Sequence, residues 1–187
     1  RAAVGAEVAA QACQGEAVVL ATQTATTREV IMLDPLTGED KPVQVQWMSS
    51  LDLQPLKTRR RPCGYWLAAE ADEAVERLRA LGVRLVPLKR SQTLDVETWH
   101  EVTRVEAARP DVLGSVRERQ TAQLVQVVLQ AGLLTVPAGG WYVTLDQPLG
   151  NLVLAAMEPD SPNGFFANRL LPTLASAARV VVAPPDP

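Results

Sequence analysis

The sequence predicts an α+β fold in which a mostly antiparallel, sandwich-like β-sheet holds one inserted strand–helix–strand unit. Three observations support this class. Apolar and polar residues alternate in several short stretches, as in strands with one buried face. Residues 71–81 instead place their apolar side chains at helical spacing, between two strand-like stretches. The chain of 187 residues, 47% of them hydrophobic, is long enough to bury the core of a single domain.

The N-terminal segment, residues 1–15, is predicted to be the end of a helix, or a connector from a domain that precedes this chain. It is rich in alanine, Val4 and Val8 lie at helical spacing, and Gly15 is a typical helix stop. The first residue is an arginine rather than a methionine, which indicates a processed product or a piece of a longer protein. Residues 16–187 are predicted to form the domain itself.

The domain begins with a predicted β-hairpin. Residues 17–20 and 28–33 have strand character, and residues 43–47 alternate apolar with polar side chains. Between them, residues 34–40 combine aspartate, proline, threonine and glycine, which are the residue types that form turns. The alternation predicts one buried face and one solvated face for this hairpin.

Residues 62–90 contain the inserted strand–helix–strand unit. A short apolar strand is predicted at 64–67, a helix at 71–81 with Gly82 as its stop, and a second strand at 83–88. Strands connected through a helix usually run parallel with a right-handed crossover. The helix is therefore expected to pack on the sheet.

The second half of the chain is predicted to be mostly antiparallel β-structure. Turn residues separate stretches that are rich in the aromatic and β-branched side chains favoured in strands. In chain order we expect a strand at 96–105, a loop at 109–119, two paired strands at 122–129 and 133–136 around a turn at 130–132, a strand at 141–145, a helix at 148–157 and a last edge strand at 179–183.

Charge and hydropathy argue against two classes of partner. The net charge is −3, whereas proteins that bind nucleic acids or anionic membranes usually carry a basic surplus, so no nucleic-acid partner is expected. The basic run at 57–61 is short and precedes Pro62, and it is predicted to be a solvated linker or strand edge. No apolar stretch approaches the roughly 20 residues that a spanning helix needs, so no membrane span is expected.

The sequence offers little catalytic chemistry. His100 is the single histidine, so the chain cannot assemble a zinc site with two histidines. Glu97 and His100 match half of a carboxylate-bridged di-iron site, but the second copy is absent and the stretch resembles a strand rather than a helix. No G-x-S-x-G nucleophile turn and no G-x-G-x-x-G or phosphate loop occurs. We therefore predict no catalytic, cofactor-binding or metal-binding residue in this chain.

The two cysteines, Cys13 and Cys63, leave two alternatives open. In an exported protein they could form a disulfide that closes a loop of about 50 residues and contributes about 4 kcal/mol in the chain-entropy model. They could equally be two free buried thiols. A disulfide would suit a periplasmic or secreted protein.

Several short segments occur in one order along the chain. They are ACQGE at 12–16, RPCGYWL at 61–67, AVERLRALGV at 74–83, PAGGWYV at 137–143, DQPL at 146–149, MEP at 157–159 and FF at 165–166. In this order the segments resemble the region following the catalytic domain in large bacterial carboxypeptidase A-type zinc metallopeptidases. The resemblance covers nearly the whole chain from about residue 12, including the stretch at 136–172, in which turn, strand and helix signals follow one another directly.

The resemblance implies a parent zinc carboxypeptidase, a hydrolase that binds its metal through a His-x-x-Glu motif and a later histidine, with a glutamate as general base. None of these residues carries over, because Glu101 directly follows His100 and no second histidine exists. The resemblance thus implies that residues 16–187 are a non-catalytic C-terminal accessory domain. Its expected partner is the upstream catalytic domain of the same polypeptide, and zinc is expected in that domain only.

The alternative hypothesis is a self-standing β-module that binds a glycan or a peptide through exposed aromatic side chains. Trp47, Trp99 and Trp141 are the candidate binding surface, with Trp66 as a fourth tryptophan. Each lies in an apolar strand pattern, which also fits a place in the core. The exposure of the rings distinguishes the two hypotheses, since a binding module needs at least two of them in one solvent-facing groove.

Overall fold

A computed structural model of the chain describes residues 2–108 and 121–185. The fold is α+β and mostly antiparallel, which confirms the predicted class. The helices of the described residues are α1 (Ala2–Ala10), α2 (Asp72–Ala80) and α3 (Gly150–Met157), with a 3₁₀ turn at Leu174–Ser176. The strands are β1 (Glu16–Leu33), β2 (Asp40–Arg60), β3 (Gly64–Leu67), β4 (Val86–Pro87), β5 (Gln92–Ala108), β6 (Thr121–Val136), β7 (Trp141–Thr144) and β8 (Ala177–Val180).

The strands form two sheets. The first contains only β1 and β2, and the second has six strands in the order β4-β7-β3-β8-β5-β6. Every pair of neighbouring strands is antiparallel. None of the helices in the described ranges is both long and apolar enough to cross a membrane.

The first sheet is a long hairpin that extends well beyond the body of the domain. We call it the hairpin arm, residues 16–60. Ala17 and Val19 at its foot are buried, but no described side chain from residue 20 to residue 48 is buried. The prediction of one buried face is therefore wrong for most of the hairpin, because no other element of the described chain packs against the part that protrudes.

The strand–helix–strand unit is present, but its two strands are not adjacent in the sheet. β3 and β4 both pair antiparallel with β7, so they run parallel to each other but lie on either side of that strand. α2 packs through Ala74, Val75 and Leu78, and it ends before Gly82, whose φ of +83° suits glycine. The helix packs on the sheet as predicted, although its second strand has only two residues.

Two further predictions are wrong. The stretch from 122 to 136 is one continuous strand, β6, because Gln130 and Gly132 pair with β5 instead of forming a turn. A Gln-Ala-Gly sequence is a weak turn signal, and the long partner strand β5 outweighs it. β8 is a central strand between β3 and β5 rather than an edge strand, and all four of its residues are buried. The loop predicted at 109–119 lies outside the described residues.

The six-stranded sheet separates two apolar clusters. Tyr65 and Leu67 on one face of β3 join the main core with side chains of α2 and α3. Trp66, which points to the opposite face, joins a smaller cluster with Val96 and Val136. The main cluster also includes Ala17 and Val19, so the foot of the hairpin arm is part of the principal core.

Candidate functional site

The foot of the hairpin arm is closed by a disulfide between Cys13 and Cys63, with the two sulfur atoms 2.03 Å apart. Backbone hydrogen bonds continue the ladder of the arm towards it. The Arg61 amide donates to the carbonyl oxygen of Gly15 at 2.9 Å, and the Cys13 amide donates to that of Pro62 at 3.1 Å. The disulfide therefore joins the two ends of the segment that contains the whole arm.

A group of buried charged side chains lies beside this foot. Lys57 and Arg59 lie two residues apart near the end of β2, so their side chains share one face of the strand, and both contact acidic residues that follow α3. Arg59 Nη1 lies 2.5 Å from Glu158 Oε2, and Arg59 Nη2 lies 2.6 Å from Asp160 Oδ2. Lys57 Nζ donates to Asp160 Oδ1 at 2.6 Å and to the Val127 carbonyl oxygen at 3.2 Å. These contacts connect the arm to α3 and to β6.

The same group extends into the centre of the six-stranded sheet. Tyr65 on β3 and Arg179 on β8 are register partners, and both are fully buried. The Tyr65 hydroxyl donates to Glu158 Oε1 at 2.7 Å, and Arg179 Nε donates to the same oxygen at 2.8 Å. Arg179 also pairs with Glu97 and donates to the carbonyl oxygen of Arg60. We call Lys57, Arg59, Tyr65, Glu97, Glu158, Asp160 and Arg179 the ionic cluster.

Burial sets the protonation states within the ionic cluster. Burial raises the pKa of the Tyr65 phenol well above its ordinary value of 10.0, and the Glu158 carboxylate raises it further. Burial alone would lower the pKa of the Arg179 guanidinium, but its interactions with Glu158, Tyr65 and Glu97 together outweigh burial, and the net pKa is raised. At neutral pH Tyr65 is therefore a neutral hydrogen-bond donor, and Arg179 is a cation.

The ionic cluster balances its own charges and connects separate elements of the fold. Three cations face three carboxylates, so the charges balance within the cluster. Glu158 is fully buried and accepts hydrogen bonds from three different side chains. A general base must reach a substrate proton, and a carboxylate enclosed in this way cannot do so. The contacts instead attach the arm, α3 and β8 to one another.

The basic run at 57–61 is the clearest error of the sequence-based prediction. Arg59 and Arg61 are only 7% and 8% exposed, so the prediction is wrong for these two residues, whereas Thr58 and Arg60 are exposed near the end of β2. Arg61 Nη1 donates to Asn151 Oδ1 at 2.7 Å, and Arg59 belongs to the ionic cluster. The sequence does contain one signal of the ionic cluster. Arg179 is the one charged residue in the otherwise apolar stretch 177–183, and a charge that is buried in such a strand needs a charged or polar partner.

The hairpin arm carries most of the exposed large apolar side chains of the described chain. Of eighteen such residues, ten belong to the arm. A concentration of exposed apolar side chains on one element is a feature of interaction sites in proteins. The ten residues are Val18, Ile31, Met32, Leu33, Leu36, Trp47, Met48, Leu51, Leu53 and Leu56.

The two faces of the arm differ in character. Val43, Val45 and Trp47 lie on one face of β2, since side chains two residues apart share a face. The Arg28 guanidinium carbon lies 5.6 Å from the centroid of the Trp47 ring on that face. On the other face, Gln44 Nε2 donates to Glu29 Oε2 at 3.0 Å. Ile31 and Met48, which are 58% and 53% exposed, lie on this second face, so large apolar side chains occur on both faces of the arm and Trp47 distinguishes the first.

The four tryptophans do not form a common surface. Trp66 and Trp99 are 6% and 5% exposed and belong to the two apolar clusters. Trp141 is partly buried, and the guanidinium carbon of Arg79 lies 4.2 Å from its ring centroid. Trp47, at 45% exposed, is the most accessible of the four and lies on the arm. The candidate residues Trp47, Trp99 and Trp141 thus lie in three different environments.

The remaining candidate residues are also separated. His100 is exposed, and its Nε2 atom lies 3.3 Å from Thr98 Oγ1. Glu97 faces the opposite direction and pairs with Arg179. Within residues 2–108 and 121–185, no group of three or more histidine, cysteine, aspartate or glutamate side chains is arranged to hold a metal ion.

One cavity lies beside the disulfide. It has a volume of about 480 Å³. Arg84 Nη2 donates to the Asp146 carbonyl oxygen at 2.7 Å, and burial raises the pKa of the Tyr142 phenol. The lining of this cavity contains one basic side chain, Arg84, and one acidic side chain, Asp146, and no nucleophile with an adjacent base. Its lining residues are Ala9, Ala10, Ala12, Cys13, Cys63, Arg84, Val86, Tyr142, Thr144, Asp146, Ala183 and Pro184.

Comparisons of the chain with protein-family models, with curated proteins and with solved structures find no match.

Proposed function

We propose that this chain is a non-catalytic accessory domain of a zinc carboxypeptidase-like protein, and that it docks on the catalytic domain through the hairpin arm. The observation that carries the proposal is the concentration of exposed apolar side chains on the arm. An isolated two-stranded hairpin is at best marginally stable in water, so an arm of this length gains most from a partner surface that covers it.

The construction of the foot supports this role. The disulfide and the ionic cluster hold both strands of the arm at the point where they leave the body. Holding a docking element in one direction reduces the entropy that is lost when it binds. A rigid foot below an apolar arm therefore suits a domain that packs against a defined partner.

The identity of the partner follows from the sequence resemblance. The matching segments include residues 61–67, which contain Cys63 and Tyr65 of the foot, and residues 157–159, which contain Glu158 of the ionic cluster. The resemblance thus covers residues that build the foot of the arm. In this proposal zinc and the catalytic residues belong to the catalytic domain, and the accessory domain buttresses it or frames its substrate cleft.

A self-standing module for glycans or peptides has less support. Such a module needs two or more aromatic rings in one accessible groove. Trp66 and Trp99 are buried, whereas Trp47 and Trp141 lie on the arm and on β7 respectively. A single accessible tryptophan on the arm fits an anchor for a protein partner equally well.

Two measurements test the proposal. The purified chain is expected to contain much less than one zinc ion per molecule and to release no C-terminal residue from peptides. Binding to the catalytic domain is then measured by calorimetry for Leu53→Glu on the arm and for Leu81→Glu at the end of α2, two leucines that are 52% and 46% exposed. The first substitution should weaken binding at least about tenfold, and the second should not. Stoichiometric zinc with hydrolysis, or equal effects of both substitutions, would overturn the proposal.

A further inference from the structure

The outer edge of β6 is an unprotected strand edge. Within residues 2–108 and 121–185, β6 is the last strand of the six-stranded sheet and pairs on one side only, with β5. Natural edge strands usually carry charged residues, prolines or bulges that prevent pairing with other chains. The sixteen residues of β6 include no charged residue and no proline. This composition is typical of a strand that is paired on both sides in the native assembly.

The directions of the backbone groups of β6 follow from its contacts. The Val127 amide donates to Asp160 Oδ1 at 3.3 Å, and the Val127 carbonyl oxygen accepts from Lys57 and Arg59. Both groups of Val127 therefore point away from β5. Backbone direction alternates along a strand, so the groups of Leu129, Ala131, Leu133 and Thr135 also point outward.

The hydrogen bonds of β5 show independently that the backbone groups of Leu133 point outward. Asp95 on β5 lies opposite Leu133, and its carbonyl oxygen accepts a hydrogen bond from the Val181 amide at 3.0 Å, on the β8 side. Asp95 is thus turned away from β6, and Leu133 does not bond to it. In an antiparallel pair this alternation is strict in the absence of a bulge, and the register is regular from Gln92 to Glu101.

Only the first part of this edge is covered within the described chain. The Gln123 amide donates to the Ala167 carbonyl oxygen at 3.0 Å, and Val127 contacts the ionic cluster. From Leu129 to Thr135, no backbone group on the outer side has a partner among residues 2–108 and 121–185. Leu133 is 72% exposed, so the side chain at the centre of this stretch is also uncovered.

We propose that this edge pairs with the same edge of a second copy of the chain, antiparallel and about a twofold axis at Gly132. In this register Ala131 lies opposite Leu133 of the other copy, and Leu129 lies opposite Thr135. All four residues are among those whose backbone groups point outward, so each such pair exchanges two hydrogen bonds. The twofold axis repeats both pairs, which gives four pairs and about eight hydrogen bonds in total. The pairing extends the sheet across both copies.

The side chains fit this register. The exposed Leu133 of each copy faces the small Ala131 of the other, which leaves room for the larger side chain on both sides of the axis. Gly132 lies on the axis, where two strands approach most closely, and a Cβ atom at that position would meet nothing within 4 Å in the single chain. Because β6 carries no charge, its own copy presents no like-charge repulsion.

The experiment is sedimentation equilibrium of the full chain over a range of concentrations. The unsubstituted chain should approach twice its mass of 20.2 kDa. Leu133→Lys should raise the dissociation constant at least about tenfold, since the substitution occurs twice across the axis. Leu51→Lys is the matched control, because Leu51 is 97% exposed on the arm and lies outside the pairing, and it should leave the dissociation constant unchanged.

Amide hydrogen exchange gives a second readout that does not depend on mass. In the dimer the outward amides of Ala131 and Leu133 should exchange at least about tenfold more slowly than in the Leu133→Lys variant. The inward amides of Gln130 and Leu134 should be protected in both proteins, because they bond to β5. A monomer at every concentration, or a dimer that Leu51→Lys dissociates and Leu133→Lys does not, would overturn the proposal.

Discussion

Replacing Glu158 by glutamine tests whether the ionic cluster holds the domain together. Glu158 is fully buried, and its two oxygens accept hydrogen bonds from Arg59, Tyr65 and Arg179. Glutamine has nearly the same shape and keeps one acceptor oxygen. It removes the negative charge, however, and turns an amide donor towards guanidinium groups that also donate.

The expected cost can be worked from these contacts. Arg59 Nη1 lies 2.5 Å from Glu158 Oε2 and Arg179 Nε lies 2.8 Å from Oε1, so two buried cations each lose a partner. Removing one member of a buried ion pair typically costs about 3–5 kcal/mol, because the remaining charge stays desolvated. Since small domains are stable by only about 5–15 kcal/mol, this loss should be large in any unfolding assay.

The assay is urea unfolding followed by tryptophan fluorescence. Trp99 is a suitable reporter, because its ring lies 6.2 Å from that of Tyr65 in the core beside the ionic cluster. The matched control is Glu101→Gln, which removes the same charge from an exposed pair with Arg104 and should change stability by less than about 1 kcal/mol. If the free energy of unfolding of Glu158→Gln lies within about 1 kcal/mol of that of the unsubstituted chain, the ionic cluster does not stabilise the domain in the way inferred here.

Three further predictions concern the same region. The unsubstituted chain should lose stability as the pH rises above 10, and Tyr65→Phe should remove the part of this loss that is due to Tyr65. The folded pKa of Tyr65 is raised above 10.0, so its contribution is complete below pH 10 and is lost as the pH rises further, by up to about 1.4 kcal/mol per pH unit. Denaturation at pH 8 and pH 11 checks this, and equal losses in both proteins would contradict it. Reduction of the Cys13–Cys63 disulfide should cost about 4 kcal/mol, measured by unfolding with and without reductant, whereas unchanged stability would exclude a closed loop. Gly64→Ala should destabilise the domain by several kcal/mol in thermal unfolding, because its Cβ atom would lie 2.4 Å from the Val143 carbonyl oxygen. An unchanged melting temperature would show that β3 and β7 can separate at that point.

The elements that the sequence predicted well are those with strong local signals. α2 has apolar residues at helical spacing, acidic residues in its first turn and a glycine just beyond its end. β3 and β7 combine aromatic and apolar residues between turn signals. These signals lie within the segment itself, so one sequence is sufficient to locate the element.

The environment of each element was harder to predict. Alternation at 43–47 does place Val43, Val45 and Trp47 on one face of the arm, but it cannot show whether another element of the chain covers that face. β8 was predicted as an edge strand because a proline-rich segment follows it, and its central place depends on pairing with β3 and β5. Such relations are set by contacts between distant parts of the chain.

The ionic cluster illustrates the same limit. Arg59 and Glu158 are 99 residues apart, and Tyr65 and Glu158 are 93 residues apart. The basic run at 57–61 has the composition of a solvated segment, and only its position in the fold makes two of its arginines buried. Likewise, the sequence left the state of Cys13 and Cys63 open, because spacing does not reveal proximity.

Docking through the hairpin arm can be tested by amide hydrogen exchange of this domain, alone and within a polypeptide that also contains the proposed catalytic domain. We predict slower exchange along residues 20–56 of the hairpin arm when the catalytic domain is present, because the partner would cover the apolar side chains there. Protection elsewhere, with the arm exchanging at the same rate in both proteins, would contradict docking through the arm.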